Sequence, residues 1–135
     1  MPHFQIKYTG GLRTEAIHVP SQSKLITDAP LDNMGKGETF SPTDLLAVAL
    51  ATCMITTMSI KARKEGFDIE GTTAEVKKIM ASDPRRVAEV VIRIDFPPLN
   101  FTDEQKKFLE HTAHHCPVAV SIHPGLIQNV TFVYH

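Results

Sequence analysis

The sequence has only two cysteines and almost no excess of charge, and each of these two shortages excludes a class of protein. Lysine and arginine total 14 against 15 for aspartate and glutamate, and they form no basic run. We therefore expect no nucleic-acid partner and no binding to a membrane surface. With 135 residues and 42% hydrophobic content, the chain is predicted to fold as a single domain over residues 1–135.

The N-terminus has no basic segment followed by an apolar one, so we expect no signal peptide. The longest apolar stretch contains Thr52, Thr56, Thr57 and Ser59, and we expect it to fall short of a membrane span. Two cysteines in such a chain favour a reducing compartment, where a structural disulfide is not expected. The composition therefore predicts a cytoplasmic protein.

Alternating apolar and polar residues predict short strands at both ends of the chain and a hairpin in its middle. Phe4, Ile6 and Tyr8 alternate in the first strand, and Asp83-Pro84 marks the turn of the central hairpin. The predicted strands are "HFQIKY", "TEAIHV", "SKLITDA", "FDIEGTTAEVKKIM", "RRVAEVVIRIDFP" and "LIQNVTFVYH". With three helical segments between them, the order is βββ-α-ββ-αα-β, an α+β fold with antiparallel sheets.

The stretch from Ser41 to Gly66, "SPTDLLAVALATCMITTMSIKARKEG", predicts a long helix. Ser41 is a good N-cap, Pro42 suits the first helical position, and Asp44 completes a capping box. Gly66 ends the helix after a basic last turn. Most of its length is apolar on every face, so we expect a central helix that is covered on all sides, in part by a second subunit.

Cys53 lies in the middle of this helix, where the simplest role of a cysteine is that of a small buried hydrophobic residue. A position inside a helix is remote from the N–H groups of a helix start, and burial raises the pKa of a thiol. A reactive Cys53 would therefore need a cation from elsewhere in the fold.

Cys116 precedes Pro117 at a predicted helix start, where free N–H groups favour a thiolate. On local grounds it is therefore the thiol of lower pKa. A metal site is an alternative, since His111 and His115 lie four residues apart next to Cys116, with Cys53 as a possible fourth ligand. The spacing matches none of the common zinc motifs, and we expect no metal.

Two segments then indicate a family. The helix "SPTDLLAVALATCM" resembles the cysteine helix of the OsmC/Ohr family, the osmotically inducible and organic hydroperoxide resistance proteins, with its N-terminal Pro, Leu, several Ala and then Cys. "AHHCPVAVSI" resembles the second cysteine segment of that family, where a His precedes a Cys-Pro that opens a helix. The order of strands and helices matches too, so the resemblance covers essentially the whole chain.

The resemblance implies an OsmC-like fold and an intertwined homodimer with paired central helices and active sites near the subunit interface. It also implies a peroxidase for organic hydroperoxides that uses no cofactor apart from an external thiol or dithiol reductant. By this analogy Cys53 attacks the O–O bond and becomes a sulfenic acid, which Cys116 resolves as a disulfide. The two cysteines are accordingly expected to be neighbours in the fold.

In the same family an arginine in a "GGR"-like turn after the first strand stabilises the thiolate. Here "TGGLR" offers Arg13 as the cation for Cys53. The family peroxidases pair this arginine with a glutamate directly after the helix-opening proline, where this sequence has Thr43. A hydroxyl cannot hold a guanidinium through two hydrogen bonds, so Asp44 and Glu38 are the candidate carboxylate partners. This departure indicates an outlying OsmC-like branch with weaker or different activity.

Two hypotheses of different class remain at this point. In the first, the protein is a thiol-dependent peroxidase. In the second, it is a non-catalytic OsmC-like dimer that binds an apolar ligand at its interface and whose cysteines are redox-sensitive. Consumption of a peroxide at the expense of a thiol reductant separates the two.

Overall fold

The computed structural model describes all residues, Met1–His135, and the chain forms two compact units, Met1–Leu46 and Ala47–His135. A single domain over residues 1–135 stays a prediction. The elements are β1 (Phe4–Gly10), β2 (Arg13–His18), β3 (Ser23–Asp28), α1 (Pro42–Lys64), β4 (Thr73–Ala81), β5 (Arg86–Asp95), α2 (Asp103–His114), α3 (Pro117–Ser121) and β6 (Ile127–Val133), with a short 3-10 turn at Leu31–Asn33. The predicted α+β order βββ-α-ββ-αα-β is confirmed.

The first unit contains a three-stranded antiparallel sheet in the order β1-β2-β3. The turn between β1 and β2 takes positive φ angles at Gly10 and Gly11, which glycine adopts without steric cost. The register of β2 against β3 places Arg13 directly opposite Asp28, at the end of the sheet where β2 begins and β3 ends. This pairing fixes the position of the only arginine in the unit.

The capping signals at both ends of α1 are confirmed. The backbone N–H of Asp44 donates to Ser41 Oγ at 3.1 Å, and the N–H of Ser41 donates to Asp44 Oδ2 at 2.9 Å, which is the predicted capping box. At the other end Gly66 has a φ of +86°, and the N–H of Phe67 donates to the carbonyl of Ala62. Local sequence therefore sets where this helix begins and ends.

Within one chain, α1 is covered on one stripe, and the additional cover from a second subunit stays a prediction. The buried residues are Ala47, Leu50, Ala51, Met54, Met58 and Ala62. Over an 18-residue window the mean hydropathy is 1.7, yet only 33% of that window is buried. By length and composition alone α1 could cross a membrane, contrary to expectation, although the central helix of a soluble protein passes the same test. The apolar surface of α1 therefore exceeds what one chain covers.

The second unit contains a three-stranded sheet in the order β4-β5-β6. The predicted inner face of β5 is confirmed, because Val90, Ile92 and Ile94 are fully buried. One detail of the sheet was wrong: β6 pairs with β5 in parallel, not antiparallel. The helices α2 and α3 lie between these two strands in the sequence and supply the long connection that a parallel pair requires.

The connection between β5 and β6 begins with a well-capped helix. Thr102 accepts a hydrogen bond from the N–H of Gln105, and the Gln105 side chain accepts one from the N–H of Thr102, so a capping box opens α2. Cys116 is the N-cap residue of α3, with Pro117 at the first helical position. The N-cap position therefore places Cys116 at the start of α3, where its side chain accepts a hydrogen bond from the N–H of Ala119.

Candidate active site: two thiols on one set of backbone donors

The two cysteines are neighbours in the second unit, as predicted. Cys53 lies in the middle of α1, and its Sγ accepts a hydrogen bond from the N–H of Val118 at 3.5 Å. The Sγ of Cys116 accepts one from the N–H of Ala119 at 3.4 Å, and each thiol influences the pKa of the other. Both cysteines are free thiols. The first turn of α3 therefore holds both sulfur atoms through consecutive N–H groups.

The two thiols differ in their access to solvent. Cys116 is 0% exposed, whereas Cys53 is only partly buried. The hydroxyl of Thr57, one turn further along α1, lies 3.8 Å from Cys53 Sγ and adds a third polar neighbour. A dissolved oxidant can therefore reach Cys53 before it reaches Cys116.

The two thiols also differ in pKa, and the order is the reverse of the local expectation. Burial raises the pKa of Cys53, but hydrogen bonds from Val118, Cys116 and Thr57 together outweigh burial and leave its pKa below the ordinary value. Burial raises the pKa of Cys116, and the negative charge on Cys53 raises it further, against the opposing hydrogen bond of Ala119. The assignment of the lower pKa to Cys116 was therefore wrong.

The reason for this reversal is the direction of the N–H groups at the start of α3. The sequence placed Cys116 at this helix start, and the position is correct, but Pro117 has no N–H and the next donor points at Cys53. Complete burial then removes water as a stabiliser of a Cys116 thiolate. Hydrogen bonds lower the pKa of Cys53, so the cation expected from the sequence is not needed to explain this downward shift.

In the first unit, Arg13 has a carboxylate partner that the sequence did not identify. Its Nε and Nη2 donate to Asp28 Oδ1 and Oδ2 at 2.7 and 2.9 Å, a bidentate pair with a side chain that is 0% exposed. The N–H of Glu38 also donates to Asp28 Oδ2 at 3.1 Å. The hydrogen bond from Arg13 lowers the pKa of Asp28, against the effect of burial. Asp28 therefore stays ionised and orients the guanidinium.

Neither of the two carboxylates proposed from the sequence is the main partner of Arg13. Glu38 Oε2 lies 3.8 Å from Arg13 Nη2 and is largely exposed, so it is a secondary neighbour of the guanidinium. Asp44 accepts the hydrogen bond from the N–H of Ser41 that caps α1. The hydroxyl of Thr43 lies 3.2 Å from Ser41 Oγ at the same helix start. A signal for Asp28 was present in the sequence, since it ends the strand "SKLITD" that pairs with the strand of Arg13.

The histidine cluster does not assemble the metal site that was weighed from the sequence. The chain contains no group of three or more His, Cys, Asp or Glu side chains that could hold a metal ion. Cys116 is buried and accepts a hydrogen bond from Ala119, while His111 on α2 and His115, the C-cap residue of α2, are exposed. The two cysteines therefore form a dithiol site and not part of a four-ligand centre.

Comparison with known proteins places this geometry in a family. The profile of the OsmC-like proteins matches residues 35–129. A protein from Psychrobacter arcticus 273-4, provisionally assigned to osmotic stress induction and the detoxification response, is 55% identical with a TM-score of 0.93, over 100% of this chain and 96% of that one. No curated protein matches the chain.

More distant solved structures share the fold. An organic hydroperoxide resistance protein from Elizabethkingia anophelis, with thiocyanate bound, has 16% identity and a TM-score of 0.75 over 100% of this chain and 98% of that one. The organic hydroperoxide resistance protein OsmC from Legionella pneumophila has 20% identity and a TM-score of 0.72 over 96% of each chain. Together with the family profile and the match at 55% identity, these likenesses make this chain a member of the OsmC-like protein family.

Proposed function

We propose that this protein is a thiol-dependent peroxidase that reduces organic hydroperoxides. The observation that carries the proposal is the proximity of two unlike thiols, which accept hydrogen bonds from consecutive N–H groups. Cys53 is partly exposed and has a lowered pKa, whereas Cys116 is fully buried and has a raised pKa. A nucleophile must be a thiolate that the oxidant can reach, and a resolving thiol must wait protonated beside it. The names of the related hydroperoxide resistance proteins support the same chemistry.

The proposed cycle has three steps. The Cys53 thiolate attacks the terminal oxygen of the hydroperoxide, the O–O bond breaks, and the alkoxide leaves and takes up a proton as an alcohol. The sulfenic acid on Cys53 then condenses with the thiol of Cys116, which forms a disulfide and releases water. An external dithiol reduces this disulfide and becomes a disulfide itself. No cofactor takes part, and the sum is hydroperoxide plus dithiol giving alcohol, water and disulfide.

From the family resemblance alone, we propose Arg13 as a cation for the Cys53 thiolate in addition to the hydrogen bonds that lower its pKa. Its bidentate bond to the buried carboxylate of Asp28 supports this role, because a guanidinium held at two points is oriented at little further entropic cost. A third of its side chain is exposed, which leaves the cation accessible. In this proposal Asp28 replaces the glutamate of the family peroxidases as the partner of Arg13. A carboxylate at position 43 is therefore not needed to orient the guanidinium.

We also propose that the protein is a cytoplasmic homodimer. Two surfaces support the dimer: only 33% of an 18-residue apolar window of α1 is buried, and Phe4, Ile6 and Tyr8 on one face of β1 are 61%, 73% and 62% exposed. Apolar surface of this extent on a folded protein marks an interaction site. A second copy of the chain is the partner that the family resemblance implied. The reducing cytoplasm would keep both thiols free between turnovers.

Sedimentation equilibrium at micromolar concentration tests the dimer. The wild-type chain is expected to sediment with twice its monomer mass, and Ile6→Lys is expected to shift the population toward monomer because it places a charge in an apolar contact. Gln5→Lys is the matched control, since Gln5 is exposed on the other face of the same strand. A wild-type monomer, or equal effects of the two variants, would contradict the proposed interface.

The peroxidase proposal is tested with purified, reduced protein, a hydroperoxide and dithiothreitol. We expect continuous loss of peroxide in proportion to protein concentration, faster with cumene hydroperoxide than with hydrogen peroxide. The residual peroxide is measured over time. Oxidation of the thiols by one equivalent of peroxide without further consumption would instead favour the alternative, a non-catalytic dimer that binds an apolar ligand.

A further inference from the structure

Thr57 on α1 directs its hydroxyl to a sulfur atom and not to the helix backbone. A threonine inside a helix commonly donates its hydroxyl to the carbonyl four residues earlier. Thr52 and Thr112 do so, with Oγ1 2.8 Å from the oxygen of that carbonyl. Thr57 Oγ1 lies instead 3.8 Å from the Sγ of Cys53, which is also four residues earlier. The hydroxyl of Thr57 is therefore a partner of the thiol.

The protonation state of Cys53 decides which of the two groups donates. A neutral thiol and a hydroxyl can each donate or accept a hydrogen bond. A thiolate has no proton and can only accept, so the hydroxyl of Thr57 is then the donor. Hydrogen bonds to a charged group are stronger than those between neutral groups, and they favour the charged form. The contact therefore strengthens when the thiolate forms.

Two donors from different elements then converge on the sulfur of Cys53. The N–H of Val118 reaches it from α3 at 3.5 Å, and the hydroxyl of Thr57 reaches it from the next turn of α1. Thr57 is half-buried, and its branched Cβ restricts rotation about χ1, so the hydroxyl is held near the sulfur. The sulfur is thus fixed between a helix start and a side chain before an oxidant arrives.

The charged side chains of the second unit do not take the same role. The basic residues of α1 lie in its last turn and are Lys61, Arg63 and Lys64. No charged side chain or histidine of α1, α2 or α3 acts on the pKa of Cys53. Cys116 is the one titratable neighbour that does, and it lowers this pKa. Thr57 is the side chain of α1 with the same effect.

We propose that Thr57 is a positioning residue for the Cys53 thiolate, because its hydroxyl donates a hydrogen bond that keeps this sulfur ionised and in place. The hydroxyl acts through the sulfur and gives up no proton in the reaction. A role of Thr57 in turnover rests on the proposed peroxidase function. The hydrogen bond to the thiolate does not rest on it, and its effect is measured without a hydroperoxide.

Thr57→Val tests the hydroxyl, because valine keeps the branched shape and loses the donor. Thr57→Ser restores the donor, and Thr56→Val makes the same change at an exposed neighbour as the control. The rate at which iodoacetamide alkylates Cys53 in each reduced protein is measured from about pH 5 to about pH 10 by mass spectrometry of the peptide that contains it. Loss of the hydrogen bond should raise the pKa of Cys53 by about 0.5–1 in Thr57→Val, an about threefold to tenfold fall in its acid dissociation constant. Thr57→Ser and Thr56→Val should stay within about 0.3 of the wild type.

The pH dependence of hydroperoxide consumption is the second readout. Thr57→Val should be slower by about threefold to tenfold below the pKa of Cys53 and nearly equal to the wild type above it, where both proteins are ionised. A loss by the same factor at every pH, an unchanged pKa in Thr57→Val, or an equal rise in Thr57→Ser would overturn the proposal. Absence of turnover in the wild type would contradict the peroxidase function alone, because the alkylation rates would still decide the role of Thr57.

Discussion

Replacing Cys53 by serine is expected to abolish turnover of hydroperoxide, with a loss of roughly 10³-fold or more, because the attacking sulfur is gone. Replacing Cys116 by serine should stop the cycle after one round, with a sulfenic acid left on Cys53. The structural reason is the pair of opposite pKa shifts at two neighbouring thiols, together with the complete burial of Cys116. Mass spectrometry of each variant after one equivalent of hydroperoxide, with a sulfenic-acid trapping reagent present, locates the oxidised residue.

The two variants control for each other, since each removes one sulfur and keeps the other in place. A shared defect of folding would lower the melting temperature of both and is checked first. Trapped sulfenic acid on Cys116 in Cys53→Ser, with none on Cys53 in Cys116→Ser, would reverse the assignment of the two roles. If neither variant is oxidised, the peroxidase proposal itself is wrong.

Replacing Asp28 by asparagine is expected to cause the largest loss of stability, a fall in melting temperature on the order of 10 °C. The substitution removes a buried negative charge that accepts hydrogen bonds from Arg13 and from the N–H of Glu38. The guanidinium of Arg13 then loses its partner and its orientation. Thermal unfolding followed by circular dichroism measures the effect.

Glu38→Gln is the matched control for this substitution. It makes the same change of charge 3.8 Å from the same guanidinium, but on a side chain that is 64% exposed. Exposed ion pairs contribute little, so a shift of no more than about 2 °C is expected. Equal shifts for Asp28→Asn and Glu38→Gln would show that burial of the carboxylate does not matter.

The stability that Asp28 contributes should also depend on pH. The hydrogen bond from Arg13 lowers the pKa of Asp28 in the folded protein, and burial opposes this only in part. A carboxylate with a lowered folded-state pKa stabilises fully above its unfolded pKa, about 3.9, and loses that contribution as the pH falls through the folded pKa. The difference in melting temperature between wild type and Asp28→Asn should therefore shrink below about pH 4. A constant difference down to pH 2 would contradict this linkage.

The parts of the structure that the sequence predicted well are those that depend on neighbouring residues. Ser41 and Asp44 cap α1 across three residues, so the local pattern contains both partners. The inner face of β5 follows from simple alternation. The cysteine pairing was predicted through the family resemblance, since nothing local joins positions so far apart.

The parts that the sequence did not predict depend on distant partners. The sequence places Asp28 at the end of the strand "SKLITD", but the register of β2 against β3 is needed to show that it faces Arg13. The order of the two thiol pKa values follows from an N–H donated across 65 positions, from Val118 to Cys53, and from the burial of Cys116. The parallel direction of β6 depends on where α2 and α3 return the chain. None of these is encoded within a short window of residues.

The parallel pairing of β6 also has a consequence for the order in which the chain is assembled during synthesis. The β4–β5 hairpin closes a short loop and can form as soon as both strands have left the ribosome. The third strand pairs Val130 with Ile92, so a long intervening segment must be made before that edge of β5 is covered. Until β6 emerges, β5 presents an unpaired edge, which is the kind of surface that promotes aggregation of nascent chains.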